Sequence, residues 1–245
     1  MEVMKRIMTI AALAALTLVA QDFAAAPARA ADSRPPVVVE LFTSQGCSSC
    51  PPADAFLGEL AQRKDVIALA YHVDYWDYIG WKDRYASPAW TDRQKGYADS
   101  LELRTLYTPQ MVIDGRADAV GSDRSNVNYL IDRAAALPKL QLTLDSSGGK
   151  HVLHLPEARF NKPATIWLAI YDPEQRTQVS RGENAGSTLS EYNIVRDLRK
   201  LASWNGAATT IDLNLAEMGK GQACAVLVQG ADQGPILAAL QVPVW

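Results

Sequence analysis

A Cys-x-x-Cys pair between an apolar run and two prolines constrains the fold of this chain more than any other feature. Residues 36–43 read Pro-Val-Val-Val-Glu-Leu-Phe-Thr, which is typical of a strand buried in a parallel sheet. Cys47 and Cys50 follow after a short turn, and the two prolines directly after Cys50 favour the first turn of a helix. Residues 66–73 form a second apolar run. The spacing predicts a βαβ unit with parallel strands and the cysteine pair at the start of its helix.

The remainder of the chain divides into two patterns. Residues 74–103 are rich in aromatic side chains and predict a mostly helical insert. Two short apolar runs then flank an Asp-Gly turn and predict a hairpin, and a final helix ends before Pro138. Residues 139–245 contain short alternating strands separated by turn residues, which is typical of an antiparallel sandwich. We therefore expect an α/β domain at 35–138 followed by an all-β sandwich-like domain at 139–245.

The N-terminus has the features of a secretory signal peptide. Lys5 and Arg6 precede an apolar run at 7–20, and Ala28 and Ala30 form a small-x-small cleavage site. The apolar run is shorter than the ~20 residues that span a bilayer. We expect residues 1–30 to be a signal peptide that is removed after Ala30, and the protein to be exported to the periplasm or secreted.

The charge balance argues against two kinds of partner. The chain carries 24 basic and 27 acidic residues, and cleavage would remove three basic and two acidic ones, which leaves a formal net charge of −4. Such a surface has no electrostatic attraction to nucleic acid or to anionic lipid. We expect no nucleic acid partner and no membrane association after signal cleavage, and the sequence does not predict an oligomeric state.

The cysteine pair predicts thiol chemistry. The thiolate is the reactive form of cysteine, and a helix N-terminus or a Cys-x-x-Cys pair lowers its pKa. We predict that Cys47, which precedes the helix, is the exposed attacking thiol. Cys50 lies one turn further on and is predicted to be the buried resolving thiol, which closes the exchange cycle. Cys224 lies in an apolar strand and is predicted to be a buried structural thiol.

The order of predicted elements resembles the minimal thioredoxin core. Residues 42–54 read Phe-Thr-Ser-Gln-Gly-Cys-Ser-Ser-Cys-Pro-Pro-Ala-Asp, residues 72–77 read His-Val-Asp-Tyr-Trp-Asp, and residues 181–186 read Arg-Gly-Glu-Asn-Ala-Gly. These segments resemble the hallmarks of a family of secreted bacterial proteins of unknown function with a thioredoxin-like domain. The resemblance extends over nearly all of the chain after residue 30 and implies a thioredoxin-like fold and export, but no substrate.

The resemblance to thioredoxins also implies roles for two residues. Pro109 stands directly before the predicted hairpin, where such proteins carry a cis-proline that positions substrate beside the redox pair. Glu40 resembles the buried acid that relays protons to the inner cysteine, although a carboxylate in a doubly covered strand can instead be satisfied by an arginine or by water. His72 ends the second strand near Cys47. It is either satisfied within the fold, a stabiliser of the Cys47 thiolate, or a metal ligand.

These features predict an exported thiol–disulfide oxidoreductase that needs no bound cofactor. Its partners would be thiols or disulfides of exported proteins, or a small thiol. One alternative is a protein that binds or delivers Cu(I) through the same thiols, since soft thiolates select Cu(I). Another is a binding module in which the cysteine pair forms only a structural disulfide.

Overall fold

A computed structural model describes residues 34–243 of the chain. The predicted signal peptide and its cleavage site lie outside the described residues. The described elements make a mixed α/β fold in the order β1 (Val37–Thr43), α1 (Pro51–Leu60), β2 (Val66–His72), α2 (Pro88–Ser100), β3 (Gln110–Ile113), β4 (Ala117–Val120), α3 (Arg124–Ala135), β5 (Thr143–Ser147), β6 (Lys150–Leu155), β7 (Ala164–Gln178), β8 (Thr188–Trp204), β9 (Thr209–Asp212), β10 (Ala223–Gln229) and β11 (Ile236–Val242). Within residues 34–243, no helix is both long and apolar enough to cross a bilayer.

Eight strands form one large sheet in the order β11-β10-β7-β8-β2-β1-β3-β4. β1 and β2 are parallel, as predicted, and their pairing ends with Thr43 opposite His72. Both strands are buried along their whole length because helices cover this part of the sheet on both faces. The predicted hairpin is β3–β4, and β3 pairs antiparallel with β1.

The helices begin where the sequence supplies suitable first residues. Prolines occupy the first two positions of α1. Proline lacks an N–H group, and in the first turn of a helix that group would have no partner within the helix. The apolar side chains of α1 and α3 pack on one face of β1 and β2. The helical prediction for residues 74–103 is correct only for α2, because residues 74–87 form turns. Trp90 and Tyr97 of α2 pack against the opposite face of the sheet.

The predicted boundary at Pro138 does not divide the hydrophobic core. β8 pairs in parallel with β2 through Ala70 and Ile194, so strands from the C-terminal half extend the same sheet. One apolar cluster joins Phe42 of β1 to Leu227 of β10. Strands from both sides of Pro138 share one sheet because β8 pairs with the edge of β2 that would otherwise be free. A sandwich-like packing exists only locally, where the small sheet β5-β6-β9 encloses a further apolar cluster with β7 and β10.

β7 and β8 are long enough to continue beyond the sheet as a two-stranded ribbon. Residues 172–178 pair with residues 188–194, and the ribbon passes over α1. The ring of Tyr192 lies where a side chain at Gly58 would be, since a Cβ there would come within 2.5 Å of the ring. The glycine therefore permits the close approach. The ribbon carries the loop 181–186 at its tip and places it above the start of α1.

Candidate functional site

Cys47 and Cys50 are joined by a disulfide at the carboxyl end of β1. Two successive turns place them: the Cys47 N–H donates to the Ser44 carbonyl at 3.1 Å, and the Cys50 N–H donates to the Cys47 carbonyl at 3.2 Å. Cys50 is the residue that caps the N-terminus of α1. The arrangement brings the two sulfurs together across the turn that leads into the helix, as the spacing predicts.

Both cysteines are buried, which corrects the prediction that Cys47 is exposed. Cys47 is 1% exposed and Cys50 is 0% exposed, whereas the two intervening serines are exposed. The cover comes from the distant loop 181–186. The Asn184 side-chain amide donates to the carbonyls of Gln45 and Cys47 at 2.9 and 3.0 Å. Beside it, the Ser48 N–H donates to the Glu183 carboxylate at 3.4 Å.

Two hydroxyl groups contact the Cys47 sulfur. Thr108 Oγ1 lies 3.3 Å from Cys47 Sγ, and Ser49 Oγ lies 3.4 Å from it. The indole N–H of Trp76 donates to Thr108 Oγ1 at 2.8 Å. The Thr108–Pro109 peptide bond is cis, as predicted, and Pro109 stands directly before β3. Thr108 therefore brings this segment to the Cys47 sulfur, and the substrate-positioning role of Pro109 stays a prediction.

A buried carboxyl group lies one helical turn beyond Cys50. Asp54 is 7% exposed and its side chain accepts a hydrogen bond from Thr43 Oγ1 at 2.8 Å. Residues four apart on a helix share a face, so Asp54 follows Cys50 along α1. Burial raises the pKa of Asp54 to about 7, although His72 and the Thr43 hydroxyl act in the opposite direction. Asp54 can therefore hold or release a proton near neutral pH.

His72 is held by acids and does not contact the cysteines. Its Nδ1 lies 2.6 Å from Asp83 Oδ2, and its Nε2 lies 3.8 Å from Glu191 Oε1. Burial lowers the pKa of His72, but Asp83 and Glu191 outweigh that effect and raise the pKa to about 8. Asp83 therefore holds the imidazolium through Nδ1, whereas the buried Nε2 forms no hydrogen bond with the described residues. Of the three interpretations from the sequence, pairing within the fold fits Nδ1 alone.

Gln45 joins the cysteine loop to this acidic cluster. Its side-chain amide donates to Glu191 at 2.9 Å and to Thr177 at 3.0 Å, and its backbone N–H donates to Asp83 at 2.9 Å. Its side-chain oxygen accepts a hydrogen bond from the Trp81 indole at 2.9 Å. Glu191 and Thr177 come from the ribbon, so both halves of the chain build the surroundings of the disulfide.

Glu40 lies on the other face of the sheet. Alternate residues of a strand point to opposite faces, and Glu40 points to the face that α2 covers, whereas α1 packs on the face of Val39 and Leu41. Its carboxylate forms an ion pair with Arg93 at 2.7 Å and accepts a hydrogen bond from Tyr97. The proton-relay interpretation of Glu40 does not fit this placement, because the sheet separates the carboxylate from α1.

Cys224 is free and fully buried in β10, as predicted. Burial raises the pKa of its thiol to about 11, so the thiolate is scarce at neutral pH. Within the described part of the chain, no group of three or more His, Cys, Asp or Glu side chains is placed to hold a metal ion.

These observations define a mixed α/β protein with a large, mostly β sheet, a second small sheet and a buried Cys-x-x-Cys disulfide at the start of its first helix. The chain belongs to the family described as "Protein of unknown function (DUF1223)", whose sequence model matches residues 38–229.

Solved structures of other proteins are similar to this chain. A protein from Agrobacterium tumefaciens, known from its crystal structure, is 33% identical with a TM-score of 0.72, and the match covers 84% of this chain and 93% of that one. HBP35 of Porphyromonas gingivalis is 14% identical with a TM-score of 0.57, and the match covers 85% of this chain and 75% of that one. The second likeness concerns the fold alone. No curated protein matches the sequence.

Proposed function

We propose that this protein is an exported thiol–disulfide oxidoreductase and that residues 35–138 form a thioredoxin-like part of its fold. The order β1, α1, β2, β3–β4 hairpin and α3 supports the fold assignment. The observation that carries the activity is the Cys47–Cys50 disulfide at the start of α1, with the Thr108 hydroxyl at the Cys47 sulfur. The N-terminal signal pattern supports export, because disulfides persist in oxidising compartments.

The proposed exchange passes through a mixed disulfide at Cys47. A substrate thiolate attacks the Cys47 sulfur, the Cys47–Cys50 bond breaks, and Cys50 leaves as a thiolate that takes up a proton. A second substrate thiolate attacks the substrate sulfur of the mixed disulfide, and Cys47 then leaves as a thiolate. A substrate disulfide forms, and two electrons have passed from the substrate to the cysteine pair. The reverse sequence starts from the dithiol and reduces a substrate disulfide.

Asp54 takes the proton role that the resemblance to thioredoxins implied for Glu40. The Cys50 sulfur is fully buried, so its proton must come from and return to a group inside the protein. Asp54 is one turn away along α1, and its pKa of about 7 leaves both protonation states populated at neutral pH. Protonated Asp54 supplies the proton when Cys50 leaves, and ionised Asp54 accepts it when Cys50 attacks.

A substrate reaches Cys47 only after the loop 181–186 moves. Cys47 is 1% exposed, and Asn184 bonds to the backbone on either side of Gly46. Glu183, Ala185 and Gly186 are exposed, so the tip of this loop makes few buried contacts apart from those of Asn184. Segments with few buried contacts open at low free-energy cost.

Trapping of mixed disulfides tests the proposal. Cys50→Ser should accumulate mixed disulfides with exported proteins through Cys47. Cys47→Ser should accumulate far fewer, because Cys50 caps α1 and the two prolines directly after it restrict access to its sulfur. Cys224→Ser is the matched control and should behave like the unmodified protein, since Cys224 is buried away from the pair. Equal trapping by the first two variants, or a disulfide that does not equilibrate with glutathione, would overturn the exchange activity.

A further inference from the structure

Among residues 34–243, the side chains that form hydrogen bonds with the Cys47 sulfur are neutral. Its hydrogen-bond contacts are the hydroxyls of Thr108 and Ser49. Over residues 34–243, no lysine or arginine forms a hydrogen bond with either cysteine. The charged groups packed around the cysteine loop are four acids and one imidazolium that is paired with an acid. The acids come from α1, the turn before α2, the loop 181–186 and β8: Asp54, Asp83, Glu183 and Glu191, and the imidazolium is His72. A thiolate at Cys47 therefore depends on hydroxyl donors for its stabilisation.

The Thr108 hydroxyl is oriented by a second donor. A hydroxyl has one proton to give and two lone pairs with which to accept. Trp76 donates its indole N–H to Thr108 Oγ1 at 2.8 Å, so that one lone pair is occupied. The Thr108 proton is then free to point at Cys47 Sγ, 3.3 Å away. The result is a chain of donors that runs from Trp76 through Thr108 to the sulfur.

The backbone at Gly46 allows Trp76 to reach this position. A Cβ at residue 46 would lie 3.1 Å from the Trp76 Cβ and 3.2 Å from its carbonyl oxygen, which is closer than most such contacts. The chain around Trp76 therefore packs directly on the cysteine loop. The indole N–H of Trp76 donates to the Thr108 hydroxyl and not to the sulfur.

We propose that Trp76 is a positioning residue that holds the Thr108 hydroxyl towards Cys47 and so stabilises the Cys47 thiolate. This inference rests on the proposed exchange activity and names which groups set the acidity of its attacking thiol. A hydrogen bond to a charged group is stronger than one to a neutral group, so the donor chain favours the thiolate over the thiol. Because the donors are neutral, the pKa of Cys47 depends only weakly on salt concentration.

Titration of Cys47 in the full chain carrying Cys50→Ser tests the inference, with ultraviolet thiolate absorbance as the readout. Thr108→Val should raise the pKa of Cys47 by about one to two units, the equivalent of losing one hydrogen bond to a charged group. Thr108→Ser keeps a hydroxyl and should restore most of the shift. Trp76→Phe should raise the pKa in the same direction by less, because Thr108 remains but is no longer oriented.

The double variant decides whether Trp76 acts through Thr108. Adding Trp76→Phe to Thr108→Val should raise the pKa no further than Thr108→Val alone, since the hydroxyl that Trp76 orients is then absent. Tyr78→Phe is the matched control, because Tyr78 belongs to the same aromatic segment but is 80% exposed, and it should leave the pKa unchanged. Additive shifts in the double variant, or no shift with Trp76→Phe, would overturn the positioning role.

The two proposals fail in different ways. If Cys47 titrates below the ~8.5 of free cysteine and traps substrates, but Thr108→Val does not move its pKa, only the donor chain is wrong. If the Cys50→Ser protein neither traps mixed disulfides nor shows a lowered Cys47 pKa, the exchange activity itself is wrong.

Discussion

Replacement of Asp54 by asparagine would remove a buried ionisable group one helical turn after Cys50, while keeping its size and its acceptor for Thr43. The pKa of Asp54 rises from 3.8 to about 7 on folding, with burial as the main cause. The folded state therefore binds the Asp54 proton more tightly than the unfolded state does. Stability must then fall as the pH rises from about 4 to about 7, because the unfolded chain loses this proton first.

The size of the effect follows from the shift. At 1.36 kcal/mol for each unit, a change of about three pKa units lowers the free energy of unfolding by about 4 kcal/mol at pH 8, compared with a side chain that stays neutral. At pH 5 the folded carboxyl is still protonated, but most of the unfolded chains have already lost this proton. The free energy of unfolding is then lowered by about 1.5 kcal/mol. Because asparagine does not ionise, Asp54→Asn should be more stable than the unmodified protein, and its advantage should grow by about 2–3 kcal/mol between pH 5 and pH 8.

Urea denaturation of the oxidised proteins at pH 5 and pH 8 measures this difference. Asp92→Asn is the matched control: Asp92 is exposed and pairs with Lys95 on the surface of α2, so its effect should be small at both pH values. The exchange rate of Asp54→Asn at pH 7 should also fall by about a hundredfold, the usual loss when a proton-transfer group is removed. If the advantage of Asp54→Asn is the same at both pH values, Asp54 is ionised throughout and cannot serve as the proton group.

Two further substitutions test the ion pair of Glu40 and the loop that covers Cys47. Glu40→Gln should destabilise the protein by about 3–5 kcal/mol in urea denaturation, because it leaves the buried Arg93 cation without its carboxylate. The same variant, assayed where it is folded, should keep the exchange rate of the unmodified protein at pH 7. A loss of about a hundredfold, like that expected for Asp54→Asn, would restore the proton-relay interpretation of Glu40. Asn184→Ala should speed reduction of the disulfide by a protein dithiol several-fold more than by a small phosphine, since the loop would open more easily. The exposed Asn205→Ala is its control, and equal acceleration by both reductants would contradict a covering loop.

The sequence by itself determined the local features of this protein. The apolar run at 37–43, the prolines after Cys50 and the Asp-Gly turn each act within a few residues, through burial, restricted φ angles and turn geometry. For that reason the βαβ unit, the hairpin and the start of α1 could be predicted from spacing alone. The cis bond before Pro109 was also anticipated, through the resemblance of this segment to thioredoxins.

Only the tertiary structure decided what surrounds the disulfide. Asn184 bonds to the Cys47 carbonyl across 137 positions of the chain, and Gln45 bonds to Glu191 across 146. No periodicity encodes such pairings, because they depend on how far the ribbon of β7 and β8 extends beyond the sheet. The position of Asp54, four residues after Cys50, is readable from the sequence. Its raised pKa, the ion pair of Glu40 with Arg93 and the burial of Cys47 follow from packing against segments that are remote in the chain.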